Sequence, residues 1–253
     1  MTDTLQTPSA TPVGAPLAEV GVAGGSGAMF DRIAARYDLL NRWMTFGVDQ
    51  GWRRRAVRML QATKGARILD LATGTADLAV VAARQLPDAH VTGLDPSEGM
   101  MAVGRAKIAR LGLVDRIELL TGDAQALPFD DASFDGITMG FGIRNVPDRA
   151  AALREMARVL KPGARVVILE TSQPRGGPIA WGARLYMGRV VPWLGGLLAG
   201  APVEYKYLHE STADFPDPQA FAALMTSCGL RVLKVVPLLA GVAVLHCAER
   251  PRD

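Results

Sequence analysis

The chain has 253 residues, of which 28 are Lys or Arg and 25 are Asp or Glu, and it contains only two cysteines. This length supports one substantial core but is short for two large domains. The hydrophobic fraction of 49% and the charged fraction of 21% exclude wholesale disorder, a collagen-like chain and a coiled coil. Neither cysteine belongs to a CxxC motif or a His/Cys cluster, so we predict no metal site, no disulfide framework and a reducing compartment.

The first 28 residues differ in composition from the rest of the chain. They are rich in Thr, Ala, Pro and Gly, and their only charged residues are Asp3 and Glu19. This composition predicts a disordered tail over residues 1–28. The tail lacks the basic start and apolar stretch of a secretory signal and the arginines of a mitochondrial presequence, so we expect a cytoplasmic protein.

The formal net charge of +3 is too small to indicate a nucleic-acid binder without a stripe of basic and aromatic residues. Positive charge is concentrated in the segment GWRRRAVRML, at Arg53, Arg54, Arg55 and Arg58. Such a run can attract anionic lipid, although it is usually one solvated face of a helix. We therefore expect no nucleic-acid partner and keep both interpretations of the arginine run.

Residues 29–253 predict a single α/β domain. An N-terminal helical cap over residues 29–64 comes first, because residues 29–37 and 49–62 have the apolar spacing of helices. Short apolar strands then alternate with amphipathic helices, which predicts a parallel sheet with right-handed crossovers. The predicted strands are 66–71, 90–95, 116–123, 134–141, 165–170, 230–236 and 242–248, and the helices are 76–85, 97–111, 148–160 and 218–229.

Between residues 172 and 213 this alternation lapses, and we expect an apolar substrate insertion. Its longest apolar stretch, residues 190–201, is shorter than the roughly 20 residues of a spanning helix and is interrupted by Pro192. Apolar side chains with interspersed Arg184 and Arg189 suit a tunnel or shallow docking on a membrane surface. An ordinary pair of core helices and a homodimer interface are the alternatives.

The first turn from strand to helix is the predicted ligand site, because ligands of open α/β sheets lie at the carboxyl ends of the strands. This turn is the small-residue segment DLATGTAD, from Asp70 to Asp77, with Gly74 and Thr75 at its centre. Its backbone can approach a ligand closely, and the following helix offers unpaired N–H groups. Asp95 ends the next strand 21 residues after Gly74, the spacing at which a carboxylate reaches ribose hydroxyls.

The residues of this turn favour S-adenosylmethionine (AdoMet) over a dinucleotide. A pyrophosphate requires the full GxGxxG pattern, but Ala72 and Ala76 occupy two of the usual glycine slots. Asp70 would repel phosphates and suits a cationic group, and AdoMet carries a sulfonium and an ammonium but no phosphate. Asp123, followed by Ala124, ends the third strand, where a side chain can reach the exocyclic amine of adenine. A tight structural turn without a ligand is the alternative.

Two longer segments carry a specific resemblance to a known family. MFDRIAARYDLLNRWMTFGVDQGWRR, at residues 29–54, and RVLKPGARVVILETSQP, at residues 158–174, resemble the two signatures of the UbiE family of quinone C-methyltransferases. LPFDDASFD and FGIRNVPD stand between them, as in that family. The resemblance covers residues 29–248. It implies the Rossmann-like fold of class I AdoMet-dependent methyltransferases, with a seven-stranded, mostly parallel sheet and an antiparallel last strand.

The resemblance also assigns cofactor residues and a substrate. Thr75, Asp95, Asp123 and Ala124 match the family's positions that hold AdoMet, and Gly140 matches a slot that is Ser in some members. Three departures from the family pattern, none of which removes an obvious cofactor contact, are Thr45, Asp49 and Ala164. FDRIAARYDLLNR and the ETSQP ending are more similar to the menaquinone branch than to the ubiquinone branch, which implies prenylated demethylmenaquinol as substrate.

The implied reaction moves the sulfonium methyl group to a ring carbon of the quinol, giving menaquinol without a metal. Ring carbon is a poor nucleophile unless the neighbouring hydroxyl, with a pKa of roughly 10, is ionised. Our hypothesis is that Arg144 stabilises the phenolate and Asn145 orients the ring oxygens. Alternatively, Arg144 pairs with a carboxylate such as Asp148 and fixes its loop. His209, in the polar segment YKYLHES, is the candidate base, although a lone histidine is more often a surface or capping residue.

The prenyl tail of this substrate lies in the bilayer, so the resemblance implies a cytoplasmic enzyme in peripheral contact with the inner face of the membrane. Three other functions remain open. The chain could methylate another lipophilic molecule, or it could be a non-catalytic AdoMet-binding scaffold of quinone synthesis. A nicotinamide oxidoreductase is disfavoured by the same turn residues that disfavour a pyrophosphate.

Overall fold

The computed structural model describes residues 47–173 and 214–252, together with Ala34, Arg42, Thr45, Ser211 and Thr212. Three predictions fall mainly or wholly outside these residues: the disordered tail over residues 1–28, the first cap helix over 29–37, and the insertion over 172–213. His209 also lies outside them.

Residues 47–173 and 214–252 contain five α-helices, seven strands and two short 3-10 turns. The helices are α1 (Asp49–Leu60), α2 (Asp77–Gln85), α3 (Glu98–Arg110), α4 (Arg149–Val159) and α5 (Pro218–Ser227). The strands are β1 (Arg67–Leu71), β2 (His90–Asp95), β3 (Ile117–Thr121), β4 (Phe134–Gly140), β5 (Leu160–Thr171), β6 (Arg231–Leu238) and β7 (Ala243–Glu249). The 3-10 turns are Ile143–Asn145 and Leu239–Gly241.

The boundary between α4 and β5 differs from the prediction. The apolar spacing places Leu160 in the helix and starts the strand at Arg165, whereas in the structure Leu160 has extended backbone angles and pairs with Phe134 of β4. The α-helical region is disfavoured for the residue before a proline, and Lys161 precedes Pro162. This restriction at Lys161 accounts for a helix end at Leu160, and the helix ends one residue earlier, at Val159, because Leu160 pairs with β4 instead.

The seven strands form one sheet in the order β3-β2-β1-β4-β5-β7-β6. Strands β1 to β5 pair in parallel, and β7, the last strand in the chain, lies antiparallel between β5 and β6. The predicted mostly parallel sheet with an antiparallel last strand is thus confirmed. The strand order reverses between β1 and β4, which places a crevice for ligands outside the carboxyl ends of these two strands.

Helices cover both faces of this sheet and bury its alternating side chains. In β1, Ile68 belongs to the cluster that includes α1 and α2, whereas Leu69 and Leu71 belong to the cluster that includes α4 and α5. Strand side chains alternate between faces, so Asp70 lies on the same face as Ile68, toward α1 and α2. Among the described helices, none is long and apolar enough to cross a membrane.

Candidate active site at the carboxyl edge of the sheet

The turn from β1 to α2 is the centre of the site, and its backbone is unusual. Gly74 has a φ of 54°, and the two alanines in glycine slots also adopt left-handed angles, 48° at Ala72 and 64° at Ala76. This conformation costs an L-residue roughly 1–2 kcal/mol, so the surrounding fold must impose it. The turn thus keeps the backbone shape of a glycine-rich loop despite its two alanines.

Asp95 closes this turn from the neighbouring strand. Its Oδ2 accepts a hydrogen bond from Gly74 N at 2.8 Å, and its Oδ1 accepts one from Ser97 N at 2.8 Å. The carboxylate is buried. The structure therefore brings together the two residues whose spacing suggested a ribose site.

Asp70 lies beneath the turn, with 1% of its surface exposed. Its two oxygens accept hydrogen bonds from Thr73 Oγ1 and Thr138 Oγ1, each at 2.7 Å. Burial raises the pKa of Asp70 to about 6, although the two hydroxyls and the charge of Arg53 oppose this rise. The carboxylate is a poorly solvated negative charge, which a cationic ligand group would stabilise.

Thr75 and Asp77 form a second polar cluster at the start of α2. Lys107 of α3 donates a hydrogen bond to Thr75 Oγ1 at 3.3 Å and forms an ion pair with Asp77. Burial opposes ionisation of Asp77, but the charges of Lys107 and Arg53 outweigh it and hold the pKa below its usual value. The structure thus places a cation, Lys107, against Thr75, although the two residues lie 32 positions apart in sequence.

The loop after β3 carries the predicted adenine contacts. Asp123 is exposed, and its carboxylate accepts hydrogen bonds from the backbone and side-chain nitrogens of Gln125 at 2.8–3.0 Å. Ala124 is buried in the core. Gly122 N donates a hydrogen bond to Asp95 O at 3.2 Å, so this loop lies directly beside the ribose candidate.

Gly140 ends β4 and borders the same crevice. A Cβ built on it would lie 3.4 Å from Arg53 Nη1 and 3.3 Å from Leu78 Cδ2. Arg53 itself is buried in α1, with its Nε 3.3 Å from Asp49 Oδ2. Thr45 and Asp49 are the two residues of the first signature that depart from the family pattern. They contact each other here, since Thr45 Oγ1 donates a hydrogen bond to Asp49 Oδ1 at 3.0 Å.

The structure corrects the interpretation of the arginine run. Arg54, Arg55 and Arg58 are exposed on α1, as a solvated face requires, but Arg53 is buried and is unavailable to a lipid surface. The burial of Arg53 could be predicted from helical periodicity, since the buried residues of α1 recur at the spacing of one helix face. They are Asp49, Arg53, Ala56, Val57 and Leu60.

Arg144 follows β4 in the 3-10 turn and is also buried, with its side chain 5% exposed. Its Nη1 donates to Glu170 Oε1 at 2.5 Å and to Phe141 O at 2.8 Å, and its backbone N donates to Glu170 Oε2 at 3.2 Å. Arg144 does pair with a carboxylate, as the alternative expected, but the partner is Glu170. Asp148, named as the example, instead caps α4 by accepting from Ala151 N at 2.8 Å. The completely buried Glu170, which the sequence analysis did not single out, fixes the guanidinium.

Asn145 is half-buried next to Arg144, and its backbone N donates to Gly142 O at 3.0 Å.

Two of the chain's histidines are described by the structure. His90 is exposed, whereas His246 is buried against the edge of Phe221, with ring centroids 4.9 Å apart. Burial lowers the pKa of His246 to about 4, so this ring is neutral near pH 7. In the described residues, no group of three or more His, Cys, Asp and Glu side chains could hold a metal ion.

The donor set at this edge fits AdoMet. Acidic groups for a cationic methionyl end and for ribose hydroxyls lie at Asp70 and Asp95, on either side of a small-residue turn with three left-handed backbone positions. The crevice is tightly defined, since a Cβ on Gly142 would lie only 2.4 Å from the Cβ of Ala72. The turn itself contains no Lys or Arg for a pyrophosphate, and the nearby Lys107 and Arg53 are paired with Asp77 and Asp49.

Comparison with known proteins decides the family. The model of the ubiE/COQ5 methyltransferase family matches residues 23–250. The chain belongs to this family. It is 46% identical over 223 residues to the demethylmenaquinone methyltransferase of Thermus thermophilus, covering 88% of this chain and 100% of that one. It is also 46% identical over 225 residues to the ubiquinone/menaquinone biosynthesis C-methyltransferase UbiE of Geobacter sulfurreducens, covering 88% and 87%.

Solved structures agree with this membership at the level of the fold. A SAM-dependent methyltransferase from Aquifex aeolicus has a TM-score of 0.58 at 19% identity, covering 78% of this chain and 89% of that one. A protein from Methanococcus maripaludis has a TM-score of 0.66 at 17% identity, covering 92% and 99%. The predicted class I methyltransferase fold is confirmed. Together with the family, it identifies the chain as an AdoMet-dependent methyltransferase.

Proposed function

We propose that this methyltransferase converts demethylmenaquinol to menaquinol. The observation that carries the proposal is the match to the Thermus thermophilus demethylmenaquinone methyltransferase along that protein's whole length. A relative in Bacillus cytotoxicus with the same name is 39% identical and covers 89% of this chain. Between such relatives the fold, the turn after β1 and the acceptor chemistry are expected to be shared.

The overall reaction sets what the chain must do. A ring carbon of the quinol takes the methyl group, a carbon–carbon bond forms as the carbon–sulfur bond breaks, and S-adenosylhomocysteine and one ring proton are released. AdoMet supplies an already activated methyl group. The residues of the chain therefore have to hold the two reactants in line, exclude water and favour the ionised hydroxyl of the quinol.

The residues that would hold AdoMet surround the turn after β1. Asp95 is assigned to the ribose hydroxyls, Asp123 and Ala124 to the adenine, and Gly74 and Thr75 to the backbone contacts of the methionyl end. Asp70 is assigned to the cationic end, because its buried carboxylate has a raised pKa that a positive ligand charge would lower again. Gly140 can offer only its backbone.

Arg144 is assigned to the quinol oxygen. The guanidinium lies at the end of β4, and a buried ion pair with Glu170 fixes its orientation. Glu170 also neutralises its charge, so we assign Arg144 the role of a hydrogen-bond donor to the developing phenolate rather than that of a net positive charge. Asn145 would orient the ring oxygens, and His209 remains the candidate proton acceptor.

The prenylated substrate sets the cellular context of the proposal. We place the enzyme in the cytoplasm, in peripheral contact with the inner face of the membrane, with the 172–213 insertion receiving the prenyl tail. The exposed Arg54, Arg55 and Arg58 would support contact with anionic lipid. A homodimer through the insertion is the competing use of its apolar side chains.

A complementation experiment tests the proposal in a cell. A bacterium that lacks its demethylmenaquinone methyltransferase would be given this chain, and its extracted quinones analysed by mass spectrometry. We expect demethylmenaquinone to disappear and menaquinone to return with the wild-type chain but not with the Arg144→Ala variant. Persistence of demethylmenaquinone with the expressed, folded wild-type chain would instead favour another lipophilic acceptor or a scaffold role.

A further inference from the structure

Arg53 is a buried cation whose hydrogen bonds are incomplete. Its side chain is 7% exposed, and its Nε donates to Asp49 Oδ2 at 3.3 Å. The guanidinium carbon lies 5.5 Å from the centre of the Phe141 ring. Within the described part of the chain, neither terminal nitrogen, Nη1 or Nη2, forms a hydrogen bond. A charged group so far removed from water normally has partners for all its donors, because leaving them unmade is costly.

The free nitrogens lie on the ligand side of α1. Nη1 is 3.4 Å from the position of a Cβ on Gly140, which ends β4 at the crevice. The charge of Arg53 also acts on two carboxylates: it opposes the rise in the pKa of Asp70 and helps to hold the pKa of Asp77 below its usual value. The guanidinium therefore lies at the rim of the turn after β1, close enough to affect the titration of two of its acids.

The surrounding charges select the kind of anion that fits. Lys107 and Arg42 balance Asp77. This leaves the carboxylates of Asp49 and Asp70 against the single guanidinium. A phosphate dianion would therefore meet net repulsion. A single carboxylate that arrives with its own ammonium brings no net charge. Its carboxylate can bind the guanidinium while its ammonium approaches the acids. The methionyl end of AdoMet is such a zwitterion.

We propose that Arg53 binds the carboxylate of the methionyl group of AdoMet through Nη1 and Nη2. Two terminal nitrogens of a planar guanidinium match the two oxygens of a carboxylate, which a lysine ammonium cannot do. Asp49 holds Nε and so fixes the direction of the fork. The inference depends on AdoMet binding and is independent of the identity of the methyl acceptor.

Isothermal titration calorimetry with two ligands tests this assignment. S-adenosylhomocysteine retains the methionyl carboxylate, whereas 5′-methylthioadenosine lacks the whole amino-acid end. We expect Arg53→Met to weaken S-adenosylhomocysteine about 10- to 100-fold, the range for losing charge-assisted hydrogen bonds, and to change 5′-methylthioadenosine less than about twofold. Arg53→Lys should weaken S-adenosylhomocysteine less than Arg53→Met does, so that part of the difference in affinity between the two ligands remains. The matched control Arg54→Met, on the exposed face of the same helix, should bind both ligands as the wild type does.

Three results would overturn the assignment. Equal weakening of both ligands by Arg53→Met would show that Arg53 only supports the shape of the turn. Unchanged affinity for S-adenosylhomocysteine would show that the carboxylate binds elsewhere. A loss of turnover without loss of affinity would show that Arg53 acts on the methyl acceptor rather than on AdoMet. If Arg53→Met fails to fold, Arg53→Lys carries the test, and an unchanged ratio of the two affinities would refute the proposal. Neither ligand is a quinol, so this outcome is separate from that of the complementation experiment.

Discussion

Replacing Asp70 with asparagine should stabilise the protein at neutral pH while weakening AdoMet binding. Asp70 is buried, and burial raises its pKa to about 6 from an ordinary value of 3.8. An asparagine keeps the shape and one acceptor oxygen for the hydroxyls of Thr73 and Thr138 but carries no charge. The free energy of unfolding should therefore increase by the amount that it costs the wild type to keep this buried carboxylate ionised.

The size and sign of the effect follow from proton linkage. Because the folded protein binds this proton more tightly than the unfolded chain, ionisation of Asp70 lowers stability as the pH rises from about 4 toward 6. The cost is about 3 kcal/mol above pH 7 and roughly half of that at pH 5. His246 acts in the opposite direction, since its lowered pKa makes stability fall as the pH drops below its ordinary value of 6.5. The two groups offset each other in the wild type.

Urea denaturation of the wild type and of Asp70→Asn at several pH values measures the effect. The difference between the two free energies of unfolding removes the contribution of His246 and of all other groups they share. We expect this difference to favour the variant by about 3 kcal/mol at pH 7.5 and by roughly half of that at pH 5. A variant less stable than the wild type at pH 7.5, or a difference independent of pH, would refute the reasoning about Asp70.

Three further predictions concern the edge of the site. Glu170→Gln leaves the buried charge of Arg144 without its ion pair, so the free energy of unfolding measured in urea should fall by about 3–5 kcal/mol, and a fall below about 1 kcal/mol would contradict this. Gly142→Ala places a Cβ 2.4 Å from the Cβ of Ala72, so the turn after β1 must shift. Calorimetry should then give an affinity for S-adenosylhomocysteine at least about tenfold weaker. An unchanged affinity would show that the turn accommodates the extra Cβ without losing its binding geometry. Arg144→Ala leaves the buried Glu170 without its partner, so its free energy of unfolding should also fall by about 3–5 kcal/mol. In the folded variant, methyl transfer should fall about 100-fold or more while S-adenosylhomocysteine affinity stays within about twofold, whereas full turnover would remove Arg144 from the mechanism.

Much of the fold could be predicted because the sequence pattern and the tertiary structure agree. Strand β2 has the predicted limits, since its apolar run is bounded by the turn-forming Pro87 and Pro96. The contact between Asp95 and Gly74 was predictable for a similar reason, because adjacent parallel strands end at the same edge of the sheet. Composition and spacing alone favoured AdoMet, but the acceptor came only from family resemblance.

Other features of the site depend on tertiary context that competes with local preference. Ala72 and Ala76 adopt left-handed angles that alanine disfavours, so residue type alone argues against the observed turn. Arg53 stands in a run of arginines that is typical of a solvated face, although its position in the helical period places it among buried residues. The partner of Arg144 is 26 residues away in sequence and becomes its neighbour only because β4 and β5 are adjacent. The sequence therefore indicated a carboxylate partner for Arg144 but pointed to Asp148, which is nearer in sequence, rather than to Glu170.

The most direct test of the central claim is an assay of the purified protein with methyl-labelled AdoMet and chemically reduced, short-tailed demethylmenaquinone. The extracted quinone and the nucleoside product would be analysed by mass spectrometry. A quinol methyltransferase should place the label on a ring carbon and release S-adenosylhomocysteine in equal amount. An unlabelled quinone, with AdoMet binding confirmed by calorimetry, would contradict demethylmenaquinol as the acceptor.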